Sequence, residues 1–194
     1  MGLLFEAAAG LFAVTFVAYC AGFSTPNLLY NRGYLNGTQP VRLGLWTVCR
    51  GFGCRSIFED NPLVSTLFAG SQNWFYVVQG LSVGGFALAC LTIIFLMVYF
   101  GCLHARGLGL IKAMIITLIP SAISQGAGMA LFLWKCFETW MKEESWAHFT
   151  FDFAFYIIVS YVGLAIVCVT LLILYHRQIS IPAIFEHEHL VNET

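Results

Sequence analysis

Residues 44–54 read GLWTVCRGFGC and set two cysteines, Cys49 and Cys54, in a polar loop between two long apolar runs. The same loop carries Asn36-Gly37-Thr38, a sequon for N-glycosylation at Asn36. Because disulfides persist in oxidising compartments, the cysteines are best interpreted as a disulfide and the loop as lying outside the cytosol. This segment therefore indicates on which side of a membrane the loop lies.

The composition indicates a membrane protein. Charged residues make up 10% of the chain and hydrophobic residues 59%, whereas soluble domains carry about 25% charged residues. Four apolar segments are long enough for a hydrocarbon core that needs about 20 helical residues: 7–23, 74–102, 108–134 and 153–175. The 194 residues leave room for one four-helix domain over 1–194.

The connections between the spans predict the topology. The outer loops cover about 24–73 and 135–152, the inner loop covers 103–107, and the tail covers 176–194. The short inner loop makes the second and third helices an antiparallel hairpin. With an even number of spans and the cysteine loop outside, both termini lie in the cytosol. A signal peptide is the alternative for the first span, but no Lys or Arg precedes Arg32.

The basic residues disagree with this orientation. The positive-inside rule expects Lys and Arg on cytosolic loops, yet the predicted outer loops hold more of them. Glu59 and Asp60 offset part of the outer charge. The cysteine pair and the sequon outweigh the rule. The outer residues are Arg32, Arg42, Arg50, Arg55, Lys135 and Lys142; the inner ones are Arg106, Lys112 and Arg177.

Small residues recur at a spacing that allows membrane helices to approach closely. We expect them to pack within the bundle, with contact to another copy or a partner helix as the alternative. Pro120 is expected to kink the third span, leaving Ser121, Ser124 or Gln125 to occupy the freed carbonyl. Gln125 also predicts an interhelical hydrogen bond. The predicted packing residues are Gly80, Gly84, Ala122, Gly126 and Ala130, with Ala18 and Gly22 on the first span.

The sequence contains no catalytic pattern, and we expect no enzyme activity, cofactor or metal ion. A thiol oxidoreductase would carry two residues between its cysteines, whereas Cys49 and Cys54 are separated by four. The histidines and glutamates of residues 186–189 fit a solvated tail. Cys102 is a candidate for palmitoylation. Cys136 lies near the outer end of the third span and has no obvious partner in the sequence. It is expected to be either a free thiol or part of an intermolecular disulfide.

The chain resembles the claudin superfamily: claudins, peripheral myelin and epithelial membrane proteins, the lens fibre intrinsic membrane protein, and gamma-type regulators of calcium channels and AMPA receptors. The loop order, long first and short second, matches over the whole chain, and Phe155-Tyr156 opens the last helix. Tetraspanins instead place their large cysteine-rich loop between the third and fourth spans. The signature residues are Gly44, Leu45, Trp46, Cys49 and Cys54.

The resemblance implies a left-handed transmembrane four-helix bundle with a small extracellular antiparallel β-sheet. It also implies that a disulfide between Cys49 and Cys54 closes the sheet and that Trp46 inserts where the sheet meets the bundle. Leu28 stands where claudins usually carry Trp, the cysteine spacing is about half of theirs, and residues 191–194 lack their Tyr-Val ending. The tight spacing is more similar to the lens and epithelial membrane proteins.

Two functions follow from the resemblance. One is a plasma-membrane protein of cell–cell contacts, whose outer loops meet partners on the same or the facing membrane. The other is an auxiliary subunit that packs against an ion channel or receptor and alters its gating or trafficking. The expected partners are membrane lipids and either further copies of the chain or a larger membrane complex, and not nucleic acid.

Overall fold

The computed structural model describes residues 3–31, 40–58, 73–101, 108–142 and 149–192. Their helices are α1 (Leu3–Ser24), α2 (Asn73–Gly101), α3 (Leu108–Lys142) and α4 (Phe153–Asn192). Their strands are β1 (Leu29–Asn31), β2 (Val41–Leu43), β3 (Thr47–Arg50), β4 (Gly53–Ser56) and β5 (Phe149–Phe151). The predicted combination of four long apolar helices and a small antiparallel sheet is confirmed.

Each helix contains a stretch that is long and apolar enough to cross a membrane, over Leu3–Ser24, Asn73–Gly101, Leu108–Glu138 and Phe153–Ile179. α3 and α4 both continue past the predicted ends of their spans. The extension of α3 carries an ion pair between Lys135 Nζ and Glu138 Oε2 at 2.6 Å. These residues are one helical turn apart, so the pair supports the last turns of the helix.

The helices form a bundle in which α2 packs along α3, α1 packs along α4, and α3 also packs against α4. Two buried glycines bring α2 and α3 together. A Cβ on Gly85 would lie 3.1 Å from the Ser121 carbonyl oxygen, and one on Gly128 would lie 3.3 Å from Leu81 Cβ. Gly22 gives α1 a similar approach to α4, because a Cβ there would lie 3.0 Å from Ile157 Cγ2.

The predicted packing residues divide between two surfaces. Ala122 is buried, and Gly84 and Gly126 are half-buried at helix contacts. Gly80, Ala130 and Ala18 are exposed, and a Cβ on Gly80 would meet nothing within 4 Å. The expectation that these three pack inside the bundle is wrong. A spacing of four residues defines a helix face, but does not say which way the face points.

The sheet has the strand order β4-β3-β2-β1-β5, with antiparallel pairing throughout. β5, from the segment between α3 and α4, pairs with β1 through Leu29 and Phe151. Side chains directly across an antiparallel pair share one face. On one face, Leu29, Leu43 and Val48 are buried in the common hydrophobic core. The sheet therefore packs directly on the helices through the buried side chains of this face.

Candidate functional site

The Gly-Leu-Trp segment is the junction between the sheet and the helices, and Gly44 permits the closest contact there. It follows β2, and its N–H donates to the Thr47 carbonyl at 2.9 Å. A Cβ on Gly44 would lie 2.5 Å from Pro26 Cα and 2.7 Å from the Thr25 carbonyl oxygen. Only glycine lets this turn rest on the segment that connects α1 to β1.

Leu45 connects the junction to α2. Its side chain is buried, and its carbonyl oxygen accepts a hydrogen bond from Gln79 Nε2 at 2.5 Å. Gln79 is itself buried, in the second turn of α2. The bond satisfies two polar groups that would otherwise be buried without partners. Gln79 was not among the residues predicted from the sequence; its signal there was a single amide side chain near the start of an apolar span.

Trp46 connects the junction to α1. Its indole Nε1 donates to the Phe23 carbonyl at 3.0 Å, and this carbonyl belongs to the last turn of α1, where backbone acceptors lack helical partners. The Trp46 ring also meets the Phe23 ring edge-on, with centroids 5.2 Å apart. The Trp46 carbonyl accepts from Ile57 N–H at 2.9 Å. The expected position of Trp46, where the sheet meets the bundle, is confirmed by these contacts.

The predicted disulfide is present. Cys49 and Cys54 lie directly opposite each other on β3 and β4, and their Sγ atoms are bonded at 2.05 Å. The strands are joined by a tight turn at Gly51 and Phe52, and Gly51 has a φ of 58°, which glycine adopts without strain. The short cysteine spacing therefore reflects a tight hairpin.

The other face of the sheet carries a groove of about 490 Å³. Its floor includes the disulfide, and the Arg42 guanidinium lies above the Tyr30 ring, 5.5 Å from its centroid. Phe52 stands fully exposed at the rim. The groove is lined by Pro26, Pro40, Arg42, Cys49, Gly51, Phe52 and Cys54. Arginine and apolar side chains together suit a partner that is apolar and carries negative charge.

A buried polar cluster joins the helices lower in the bundle. Tyr19 of α1 donates to Gln125 Oε1 of α3 at 2.7 Å, which is the predicted interhelical bond of Gln125. The Tyr19 ring stacks on that of Tyr161 in α4 at 4.1 Å, and the Tyr161 hydroxyl is 2.7 Å from Ser121 Oγ. Three helices are thus held in one register by hydrogen bonds and ring stacking.

The serines that follow Pro120 act differently from the prediction. Ser121 Oγ lies 2.7 Å from the Gly85 carbonyl oxygen, and Ser124 Oγ donates to the Leu81 carbonyl at 2.8 Å. Both acceptors belong to α2. The serines therefore join two helices and do not occupy the carbonyl that Pro120 frees within α3, because the nearby glycines bring the α2 backbone within reach.

The remaining predicted residues fall into two groups. Asn36 and Cys102 lie outside the described residues. Cys136 is a buried free thiol, which removes it from reach of an intermolecular disulfide in this conformation. Among the described residues, no group of three His, Cys, Asp or Glu side chains is placed to hold a metal ion.

No protein-family model matches the chain, and no curated protein matches its sequence.

Proposed function

We propose that this chain is a non-enzymatic, claudin-like tetraspan protein of the plasma membrane that acts at cell–cell contacts. The observation that carries the proposal is the exposed groove with Phe52 at its rim, on a sheet whose other face is fixed to the helices. A rigid, exposed, apolar surface is typical of a protein interaction site. The sheet would contact partners while the helices anchor the protein and make lateral contacts.

The outward helix surfaces support a place in the membrane. Several large apolar side chains on these surfaces are 64% to 72% exposed: Val14, Met97, Ile116 and Ile123. Such side chains are unfavourable in water but are matched by lipid tails. Each of the four helices has the length and hydropathy for a crossing.

The disulfide and the sequon support the orientation. Cys49–Cys54 lies on the sheet, and disulfides are rare in reducing compartments. An extracellular sheet then leaves both chain termini in the cytosol. The test of this arrangement is an epitope tag at the C-terminus: an antibody should reach it only after the cells are permeabilised, and labelling of intact cells would contradict the topology.

Aggregation of suspended cells tests the contact function. Non-adherent cells that express the chain should cluster, and Phe52→Ser should abolish clustering because it removes the exposed apolar side chain from the rim. Phe52→Leu is the matched control, since it keeps an apolar side chain and should preserve clustering. Surface biotinylation checks that the wild type and the two variants reach the cell surface in equal amounts. Clustering by Phe52→Ser at the wild-type level would contradict the proposal.

An auxiliary channel or receptor subunit is the second candidate, favoured by the outward small residues. Gly80 has open space around it, and Ala130 is exposed on α3, so another helix could approach either site closely. Blue-native electrophoresis after mild extraction discriminates between the two functions. A ladder of self-oligomers favours the contact function, whereas co-migration with one large channel favours the auxiliary subunit.

A further inference from the structure

Arg55 occupies an unusual position in the sheet. It lies directly opposite Val48, and Val48 lies opposite Leu43, so the three side chains share the face that packs on the helices. Leu43 and Val48 are buried, but Arg55 is exposed. β4 is an edge strand, and Arg55 therefore extends beyond the helices while pointing to their side of the sheet.

The residues after Arg55 lead to the outer end of a span. Ile57 N–H is bonded to the Trp46 carbonyl at 2.9 Å, and Phe58 N–H to Ser56 Oγ at 3.3 Å. The Phe58 ring stacks against that of Tyr76, in the first turn of α2, with centroids 6.4 Å apart and an interplanar angle of 11°. The chain therefore runs within three residues of Arg55 to an aromatic pair at the start of a helix long and apolar enough to cross a membrane.

The aromatic pair of Phe58 and Tyr76, which follows β4, has the features of a membrane interface. Phe58 is 60% exposed and Tyr76 is 45% exposed. Tyrosine at the end of a span is typical of the headgroup level, where a ring meets acyl chains and its hydroxyl meets water. A side chain on β4, three residues before Phe58, would reach the layer that contains the lipid phosphates.

The charge of this edge is not balanced by the described residues. Arg55 forms no ion pair with any of them, and the strand residues of the sheet include Arg42, Arg50 and Arg55 but no Asp or Glu. A guanidinium binds phosphate oxygens through two parallel hydrogen bonds. An anion beside apolar tails is the group that complements Arg55 together with the rings of Phe58 and Tyr76.

We propose that Arg55, Phe58 and Tyr76 form a binding site for one phospholipid of the outer leaflet. Arg55 binds the phosphate, and the two rings pack against the upper part of an acyl chain. The site fixes the height and tilt of the sheet relative to the membrane surface. This inference depends on the proposed extracellular position of the sheet, but not on the adhesive function.

Lipid titration of the purified full-length chain tests the site. The protein is delipidated in detergent, titrated with phosphatidylcholine, and monitored by native mass spectrometry. Arg55→Gln should weaken the tightest binding about tenfold, which corresponds to about 1.4 kcal/mol. Arg177→Gln is the matched control, because it removes the same charge from an exposed position on α4 at the end of the span far from the sheet, and it should bind as the wild type does. Diacylglycerol with the same chains lacks the phosphate and should bind no better to the wild type than to Arg55→Gln.

Three results would overturn the proposal. The first is equal phosphatidylcholine binding by Arg55→Gln and the wild type, and the second is a loss of binding in Arg177→Gln as large as that in Arg55→Gln. The third is displacement of the lipid by millimolar inorganic phosphate, which would indicate a free-anion site. Phe58→Ser should also weaken phosphatidylcholine binding, because it removes one ring of the pair. The adhesion test depends on Phe52, so clustering by Phe52→Ser at the wild-type level, together with intact lipid binding, would reject the contact function alone.

Discussion

The indole Nε1 of Trp46 donates its hydrogen bond to the backbone carbonyl of Phe23, 3.0 Å away and 23 residues earlier in the chain. This bond joins the sheet to the end of a helix at a carbonyl that has no helical partner of its own. The ring contact between the same two residues adds apolar packing. Trp46 therefore stabilises the docking of the sheet on α1 through both its ring and its N–H. A substitution that keeps an aromatic ring but removes the N–H separates these two contributions.

Trp46→Phe should lower the thermal stability of the purified protein, because it keeps an aromatic ring but removes the N–H. The expected cost is about 1 kcal/mol, the typical value for one intramolecular hydrogen bond. The measurement is the unfolding midpoint in detergent, followed by circular dichroism. Trp134→Phe is the control, since Trp134 is 70% exposed and should tolerate the change. Equal effects of the two substitutions would contradict a special role for Trp46.

Gly44→Ala should prevent correct docking of the sheet. The new Cβ would lie 2.5 Å from Pro26 Cα, and two backbone segments would have to separate to make room for it. Such overpacking costs about 1–3 kcal/mol or more. The measurements are surface delivery in cells and formation of the Cys49–Cys54 disulfide, assessed by thiol labelling.

Gly80→Ala is the matched control for Gly44→Ala. A Cβ on Gly80 meets nothing within 4 Å, and alanine is favoured over glycine in a helix by about 1 kcal/mol. Normal delivery of Gly80→Ala beside failure of Gly44→Ala is the expected pattern. Normal delivery of both variants would show that the contact at Gly44 is not needed. Poor delivery of Gly80→Ala would instead indicate that this surface contacts another helix.

The elements that the sequence predicts well are those with local signals. Long apolar runs determine the helices, and the spacing of Cys49 and Cys54 suits a tight hairpin. Which way a helix face points depends on how the helices pack, and local sequence does not determine it. Gly80 and Gly85 therefore look alike in sequence, yet Gly80 lies on the outward surface of α2 and Gly85 is buried. Gln79 likewise gains its role from Leu45, a partner 34 residues away.

Tyr19→Phe tests the polar cluster inside the bundle. The variant loses the 2.7 Å bond to Gln125 Oε1 but keeps the ring stacked on Tyr161. Interhelical hydrogen bonds of this kind contribute about 0.6 kcal/mol on average, so a small fall in the unfolding midpoint is expected. Tyr156→Phe, at an exposed position on α4, is the control. A midpoint for Tyr19→Phe that equals the wild type would mean that Gln125 finds another donor.

Cys136 should resist modification from outside the cell as long as the protein is folded. Its side chain is 1% exposed, and a membrane-impermeant maleimide reacts only with a thiol that it can reach. On intact cells, the wild-type chain should remain unlabelled, whereas Thr150→Cys, at an exposed position on β5, should react within minutes. After unfolding in detergent and denaturant, Cys136 should label fully. Rapid labelling of the wild type, lost in Cys136→Ser, would show that the outer end of α3 opens and that an intermolecular disulfide is accessible to the chain.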